Sequence, residues 1–399
     1  MIKKKKEKEK TMNKKRLLHD HLRIGGSDYQ GMVDAISEID NATSIIPFVG
    51  SETFVYHLSG TDASDDQNCL FVNCGDFEKN QNGVMFLNNL LRIKKNNFIS
   101  EEVVNELFEN NLALKVQSEG KDIFIIVSEL AERSLSPIVK IGKLMDAHNE
   151  IKKSLAISYS IGLEDSNIYM LTRRVGGVYK AFCFSTREEE RMKYEVITKN
   201  MNEFLTDYSL VSWQITQRFM RVYLEKKNEN NEYAHGLCIN LSDTGYCNPT
   251  VEVTIRKATD SLENYGAIAS YRFSTEDELE ELLKTLTESK ATSLYNQFDR
   301  MTQTEHELSP NEKDAIYAEV RNIIGKNAFS RTFGESSSAE NLSYRNVVDD
   351  MLQHMYDMFT GSGNVVEEKK EYVQRMFNTI PNKILELYVK NEPFETSYL

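Results

Sequence analysis

At 399 residues, with 40% hydrophobic side chains and 19 each of Tyr and Phe, the chain exceeds the roughly 250 to 300 residues at which one core usually stops growing, so two domains are expected. No apolar run reaches the roughly 18 residues that span a bilayer, and the Lys-rich start lacks a signal peptide's apolar stretch, which predicts a soluble cytoplasmic chain without membrane contact. The net charge is −13; residues 1–16 carry +7, which leaves −20 on the rest, a body that repels phosphate backbones and argues against general DNA binding.

The first segment, "MIKKKKEKEKTMNKKR", reads as a disordered basic tail that aids solubility, with Met12 as an alternative start and an anion-seeking arm as the other reading. His19-Asp20-His21 beside it reads as solvated. Five cysteines, Cys69, Cys74, Cys183, Cys238 and Cys247, form no CxxC pair, so reduced thiols are expected and neither a metal nor a cofactor is.

Residues 17–44 read as a short helical or irregular lead-in broken at Gly25-Gly26. The runs "SIIPFVGSETFVYHL", "CLFVNC" and "GVMFLNNLLRI" follow as strands, "SEEVVNELFEN" as a helix capped by Ser100, and "LALKVQSEGKDIFIIVS" as two strands around a turn. In "NIYMLTRRVGGVYKAFCFS", residues 167–185, Gly176-Gly177 separates two strands by the two residues a tight hairpin requires. Met192, Val196, Met201 and Leu205 then recur near helical spacing, which completes a β-β-α unit. "LVSWQITQRFMRVYLEKK", "HGLCINLSDTGYCNPTVEVTIR" and "GAIASYRF" supply further strands.

At residue 274 the texture changes. Thr275 and Glu278 form a capping box ahead of Leu279, Leu282, Leu283 and Leu286, and Ser309, Pro310 and Glu312 start another helix. "YRNVVDDMLQHMYDMFTG" reads as a helix stopped by Gly361, and the last helix is kinked or broken at Pro381. The predicted plan is a tail at 1–16, an α+β domain at 17–273 and a helical domain at 274–399. Its sheet is mixed, mainly antiparallel.

Asp243-Thr244-Gly245 is the tripeptide with which aspartic proteases present a carboxylate. Such chemistry needs two facing carboxylates that share a proton. The chain has one such motif, so only a homodimer could supply both, and "NIIGKN" at 322–327 resembles the downstream apolar-apolar-Gly element. Tyr246 stands where a small residue belongs, Ser242 where an apolar one does, and "NIIGKN" ends a well-capped helix. The tripeptide therefore reads as a strand-to-strand turn, in which Asp243→Asn is silent.

The order of a Gly-Gly hairpin ending in Ser, a helix, a long extended segment and "GLCINLSDTGYCNPTVEVTIR" resembles a family of uncharacterised phage- and plasmid-encoded proteins. Gly236, Asn240, Ser242, Gly245 and Arg256 occupy the family's strand, turn and Arg positions, over about residues 150–260. Where that family continues into Cys-x-Asn-Gly, this chain reads "IRKATDSLENYG". The resemblance implies a host-cell cytoplasmic setting and no assigned activity.

No phosphate loop, HExxH, GxSxG or dinucleotide fingerprint occurs, which makes a non-enzyme the better expectation. One cluster stands out: Arg173, Arg174, Lys180, Arg187, Arg191 and Lys193, with Tyr169 and Tyr179 interleaved, a combination that suits the phosphates and bases of a single strand. The other reading is a solvated face paired with Glu188, Glu189 and Glu190. The leading expectation is self-association or a protein partner; single-stranded nucleic acid comes second, and a homodimeric aspartic protease third.

Overall fold

A computed structural model of the chain describes residues 16–18, 22–50, 53–58, 69–73, 112–118, 121–139, 167–175, 178–187, 192–204, 206–227, 232–245, 247–257, 265–304, 306–333, 342–360 and 376–391. The helix expected at 100–110, the strand at 83–93, the basic tail, the Gly176-Gly177 turn and the Gly361 stop lie outside them. The fold is α+β. Its sheets are antiparallel apart from one pair of strands.

Six strands form one sheet in the order β1-β9-β10-β11-β12-β13: β1 (Arg23–Gly26), β9 (Tyr208–Thr216), β10 (Met220–Lys226), β11 (Tyr233–Leu241), β12 (Thr250–Lys257) and β13 (Tyr265–Arg272). Seven form the other in the order β2-β7-β8-β6-β5-β3-β4: β2 (Thr43–Val49), β3 (Phe54–Leu58), β4 (Cys69–Asn73), β5 (Leu112–Ser118), β6 (Lys121–Val127), β7 (Asn167–Val175) and β8 (Val178–Ser185). The parallel pair is β6 with β8. Helix α2 (Glu129–Val139) packs across it, its first turn capped by Ser128, whose hydroxyl accepts from the Ala131 N–H at 3.0 Å. Sequence periodicity gives no sign of α2.

The lead-in is more regular than its glycines suggest. Gly25 and Gly26 do not break the chain; they lie in β1, opposite Gln214 and Trp213. A Cβ on Gly25 would stand 2.6 Å from the Trp213 carbonyl oxygen, so only glycine permits the pairing. Helix α1 (Tyr29–Ala42) then starts at Asp28, whose carboxylate accepts from the Gly31 N–H, and buries Met32, Ile36 and Ile39. Asp40, near its end, accepts from the Tyr194 and Glu195 N–H groups and so caps α3 (Glu195–Phe204).

The helical region follows its caps. The Thr275 hydroxyl accepts from the Glu278 N–H at 3.2 Å to open α4 (Glu276–Thr285), and one π-helical turn joins α4 directly to α5 (Ala291–Gln303). Ser309 and Glu312 exchange both bonds of a capping box ahead of α6 (Pro310–Ile324), which ends at Gly325 with φ +81. The apolar-apolar-Gly of "NIIGKN" is thus a helix terminus. Helices α7 (Lys326–Phe333), α8 (Tyr344–Thr360) and α9 (Ile380–Asn391) complete the described region, and α9 begins at Pro381's own turn.

Residue 274 marks a change of secondary structure, yet the hydrophobic core is continuous across it. One cluster of buried side chains runs from Leu17 through Ile239 and Val253 to Leu283, Phe298, Val348 and Tyr388. The Tyr295 hydroxyl donates to the Gly236 carbonyl at 2.7 Å, His235 stacks on Tyr295 and meets Asp299 at 3.1 Å, and Gly266 lies against Pro381. The second core is that of the seven-stranded sheet, where Ile46, Leu114, Ile125, Ile168 and Ala181 pack with Ala131 and Leu135 of α2. The cores therefore divide between the sheets and not at 274.

Candidate functional site

The β7/β8 hairpin brings the predicted cations onto two opposite faces. Pairing of Val175 with Val178 sets Arg174 opposite Tyr179 and Arg173 opposite Lys180, and an extra residue at Phe182 interrupts the register. Tyr179, Ala181, Met170 and Phe184 face the core beneath α2. Arg174 shares that face and remains exposed, with its guanidinium 5.2 Å from the Tyr179 ring.

Arg173 and Lys180 point the other way, and both are fully buried. This corrects the expectation that they offer charge to a strand's phosphates: neither has surface in contact with solvent. Arg173 Nη2 donates to Asp243 Oδ2 at 3.2 Å, with 0% of either side chain exposed, and its guanidinium lies 4.5 Å over the Phe182 ring. The Tyr194 hydroxyl donates to the other oxygen, Oδ1, at 2.9 Å. Burial above all, and then the adjacent carboxylate, push the Tyr194 phenol well above its usual range, with Arg173 opposing.

Asp243-Thr244-Gly245 is the turn between β11 and β12, as expected, and each residue has a separate task. Gly245 takes φ +68 in open space, and the Thr244 and Ser242 hydroxyls both donate to the Arg218 carbonyl on the neighbouring β9–β10 turn. Asp243 is the correction. It does more than reverse the chain: it is the buried counter-ion that joins the six-stranded sheet to the seven-stranded one, so its replacement by Asn is not silent.

Beside this pair the two sheets leave a cleft of about 460 Å³. Ile45, Tyr169, Leu171 and Phe184 form one wall; the Ser242–Gly245 turn and Phe273 form the other, with Met192 between. Arg187 and Arg272 stand exposed at its rim. Of the predicted residues, then, Tyr169 and Arg187 share the cleft, Arg174 and Tyr179 lie on the opposite face, and Arg173 and Lys180 lie in the interior. Arg191 falls outside the described residues, and Lys193 pairs with Glu195 at 3.6 Å.

A second constellation covers one face of the six-stranded sheet. Arg221 Nε donates to Asn240 Oδ1 at 2.9 Å, the Asn240 amide donates to Thr250, Arg256 Nε donates to Glu225 at 2.7 Å, and the Tyr223 hydroxyl donates to Glu225 at 3.1 Å. Tyr223 stacks on Tyr265 at 5.1 Å, above Gly236, where a Cβ would stand 3.1 Å from the Tyr223 ring. Cys238 lies 3.3 Å from the Tyr265 hydroxyl, and burial, then Glu252, push its thiol up to about 12. Its groups are satisfied by one another, which fits an internal polar layer. Sequence reasoning singled out Gly236, Asn240 and Arg256 but not Arg221, Tyr223 or Glu225, whose only signal is their alternation along β10.

No family model, curated protein or solved structure matches the chain. Among the described residues no group of three or more His, Cys, Asp or Glu could hold a metal, and no helix is long and apolar enough to cross a membrane.

Proposed function

We propose that this is a non-catalytic phage- or plasmid-type protein of the cytoplasm that acts by self-association or by holding a protein partner, and that it does so in the cleft between its sheets. The observation that carries this reading is the engagement of Asp243. An aspartic protease needs a carboxylate that meets a second carboxylate and a water. Asp243 instead meets a guanidinium on one oxygen and a phenol on the other, with no exposed surface. The motif's role is then architectural, and the open space it helps to wall is what remains for recognition. That Gly236, Asn240 and Arg256 lie on one sheet face, next to the turn carrying Ser242 and Gly245, supports treating the phage- and plasmid-type pattern as one constellation.

The test is a photo-crosslinking amino acid placed at Ile45 and, as a control, at Arg174 on the opposite face. A discrete protein adduct, or a dimer of this chain, formed from Ile45 and absent from Arg174 is the expected result. Equal, diffuse adducts from both positions would remove the cleft from consideration. Cleavage of a denatured protein at acid pH, blocked by a transition-state analogue, would restore the protease reading.

A further inference from the structure

We propose that the cleft recognises an extended acidic segment of a protein partner, which adds to the free edge of β2 and sets its carboxylates against Arg187 and Arg272. This deepens the reading above and rests on it. Three observations converge. β2 stands at the end of the seven-stranded sheet, and among the described residues no strand pairs with its outer side. Such an edge presents unmatched backbone donors and acceptors, the usual template for an added strand. Ile45, on β2, is one of the two large apolar side chains left exposed among the described residues, and it lines the cleft.

Charge supplies the sign. Among the described residues neither Arg187 nor Arg272 has an ion-pair partner, and the acidic group nearest to hand, Asp243, is already committed to Arg173 and Tyr194. The rim is thus locally positive on a chain of net charge −13. Two guanidinium groups suit one or two carboxylates, because charge-assisted bonds to oxygen anions are their preferred pairing. A nucleic-acid strand brings a phosphate at every residue, and those beyond the rim would meet the acidic body. An extended peptide can alternate, with carboxylates on the arginines and apolar side chains against Leu171, Phe184 and Phe273. Ser185, Asn248 and Ser274, also on the cleft, supply polar partners for its backbone.

The experiment measures fluorescence anisotropy of three labelled probes against the full chain at ~0.15 M salt. They are a capped hexapeptide alternating Glu and Phe, the same peptide with Lys for Glu, and an oligothymidylate of equal length. The acidic peptide should bind, and Arg187→Glu and Arg272→Glu should each weaken it by about tenfold or more without moving the urea midpoint. Equal binding of the Lys peptide, or indifference to both reversals, overturns the acidic assignment; tighter binding of oligothymidylate does so in favour of nucleic acid. If any probe binds and Ile45→Asp abolishes it, the cleft reading survives such a result. If no probe binds, or Ile45→Asp changes nothing, both fall.

Discussion

The molecule is joined along two seams made of different material. Where helices α4, α5, α8 and α9 meet the six-stranded sheet, the contact is apolar and continuous, through Leu283, Phe298, Val348 and Ile384, with isolated polar ties such as Tyr295 to Gly236. Where the two sheets meet at the cleft, the contact is a buried ion pair with a tyrosine on its second oxygen. Apolar burial is non-directional and grows with area, so the first seam closes without a gap. A buried pair fixes two groups at one distance and gives little stability in itself, because desolvation offsets most of the attraction. It leaves room beside it, and that is where the cleft stands.

The largest effect follows from breaking the ionic seam on one side only. Asp243→Asn leaves the Arg173 charge buried without its counter-ion and should cost about 3 to 5 kcal/mol in urea unfolding. Replacing both, Arg173→Met with Asp243→Leu, should recover most of that loss, since an apolar pair of similar volume needs no counter-ion. A single replacement costing less than ~1 kcal/mol would mean that the pair does not hold the sheets.

The apolar seam is tested next. Leu283→Ala should cost about 3 kcal/mol, as a fully buried leucine leaves a cavity. Trp213, the chain's one tryptophan, lies in the same core as the helices. Its fluorescence and the helical circular dichroism should therefore be lost at one urea concentration, in wild type and variant alike. Two separate transitions would instead make residue 274 a true boundary.

Alkaline pH separates the seams by a different route. Tyr194 at the ionic seam, and Tyr223 and Tyr265 in the polar layer, have phenols raised by burial first. Above about pH 10 the unfolded chain gives up phenolic protons that the folded chain keeps, so this contribution is complete below that pH and declines above it. The slope is up to about 1.4 kcal/mol per pH unit for each phenol. Cys238, raised from 9.0 to about 12, adds an earlier decline beginning near pH 9. Unfolding measured from pH 8 to 11 should show this fall, and Tyr194→Phe should remove one proton from its slope. An unchanged slope would place the Tyr194 phenol in solvent.

What could be read in the sequence was what is decided locally. The hairpin at Gly176-Gly177, the caps at Thr275 and Ser309 and the turn at Gly245 each depend on residues a few positions apart. Gly25 was misread because its need for a missing Cβ comes from Trp213, far along the chain. Asp243 meets Arg173 across 70 residues and Tyr194 across 49, and no periodicity encodes either distance. Adjacent Arg173 and Arg174 had to face opposite sides of a strand; which of them is buried depends on what covers each side, which only the tertiary structure decides. The helices α2 and α5 went unannounced for a similar reason, since α5 simply continues α4 through a π-helical turn.

The smallest expected effect is the sharpest control on the hairpin. Arg174 follows Arg173 directly, yet it lies on the face beneath α2, remains exposed, and its printed contact is the Tyr179 ring at 5.2 Å. A cation over an aromatic ring at an exposed site contributes about 0.5 to 1 kcal/mol, and substitutions away from buried features usually stay within about 0.5 kcal/mol. Arg174→Ala should therefore shift the urea midpoint barely beyond error, while Arg173→Ala, which strands the Asp243 carboxylate, should cost several times more. Arg174→Glu should also leave binding in the cleft unchanged, because its side chain is on the far side of the sheet from Arg187 and Arg272. If Arg174→Glu weakened the acidic peptide as much as Arg187→Glu did, the long-range charge of the hairpin, and not contact in the cleft, would be what the peptide reads.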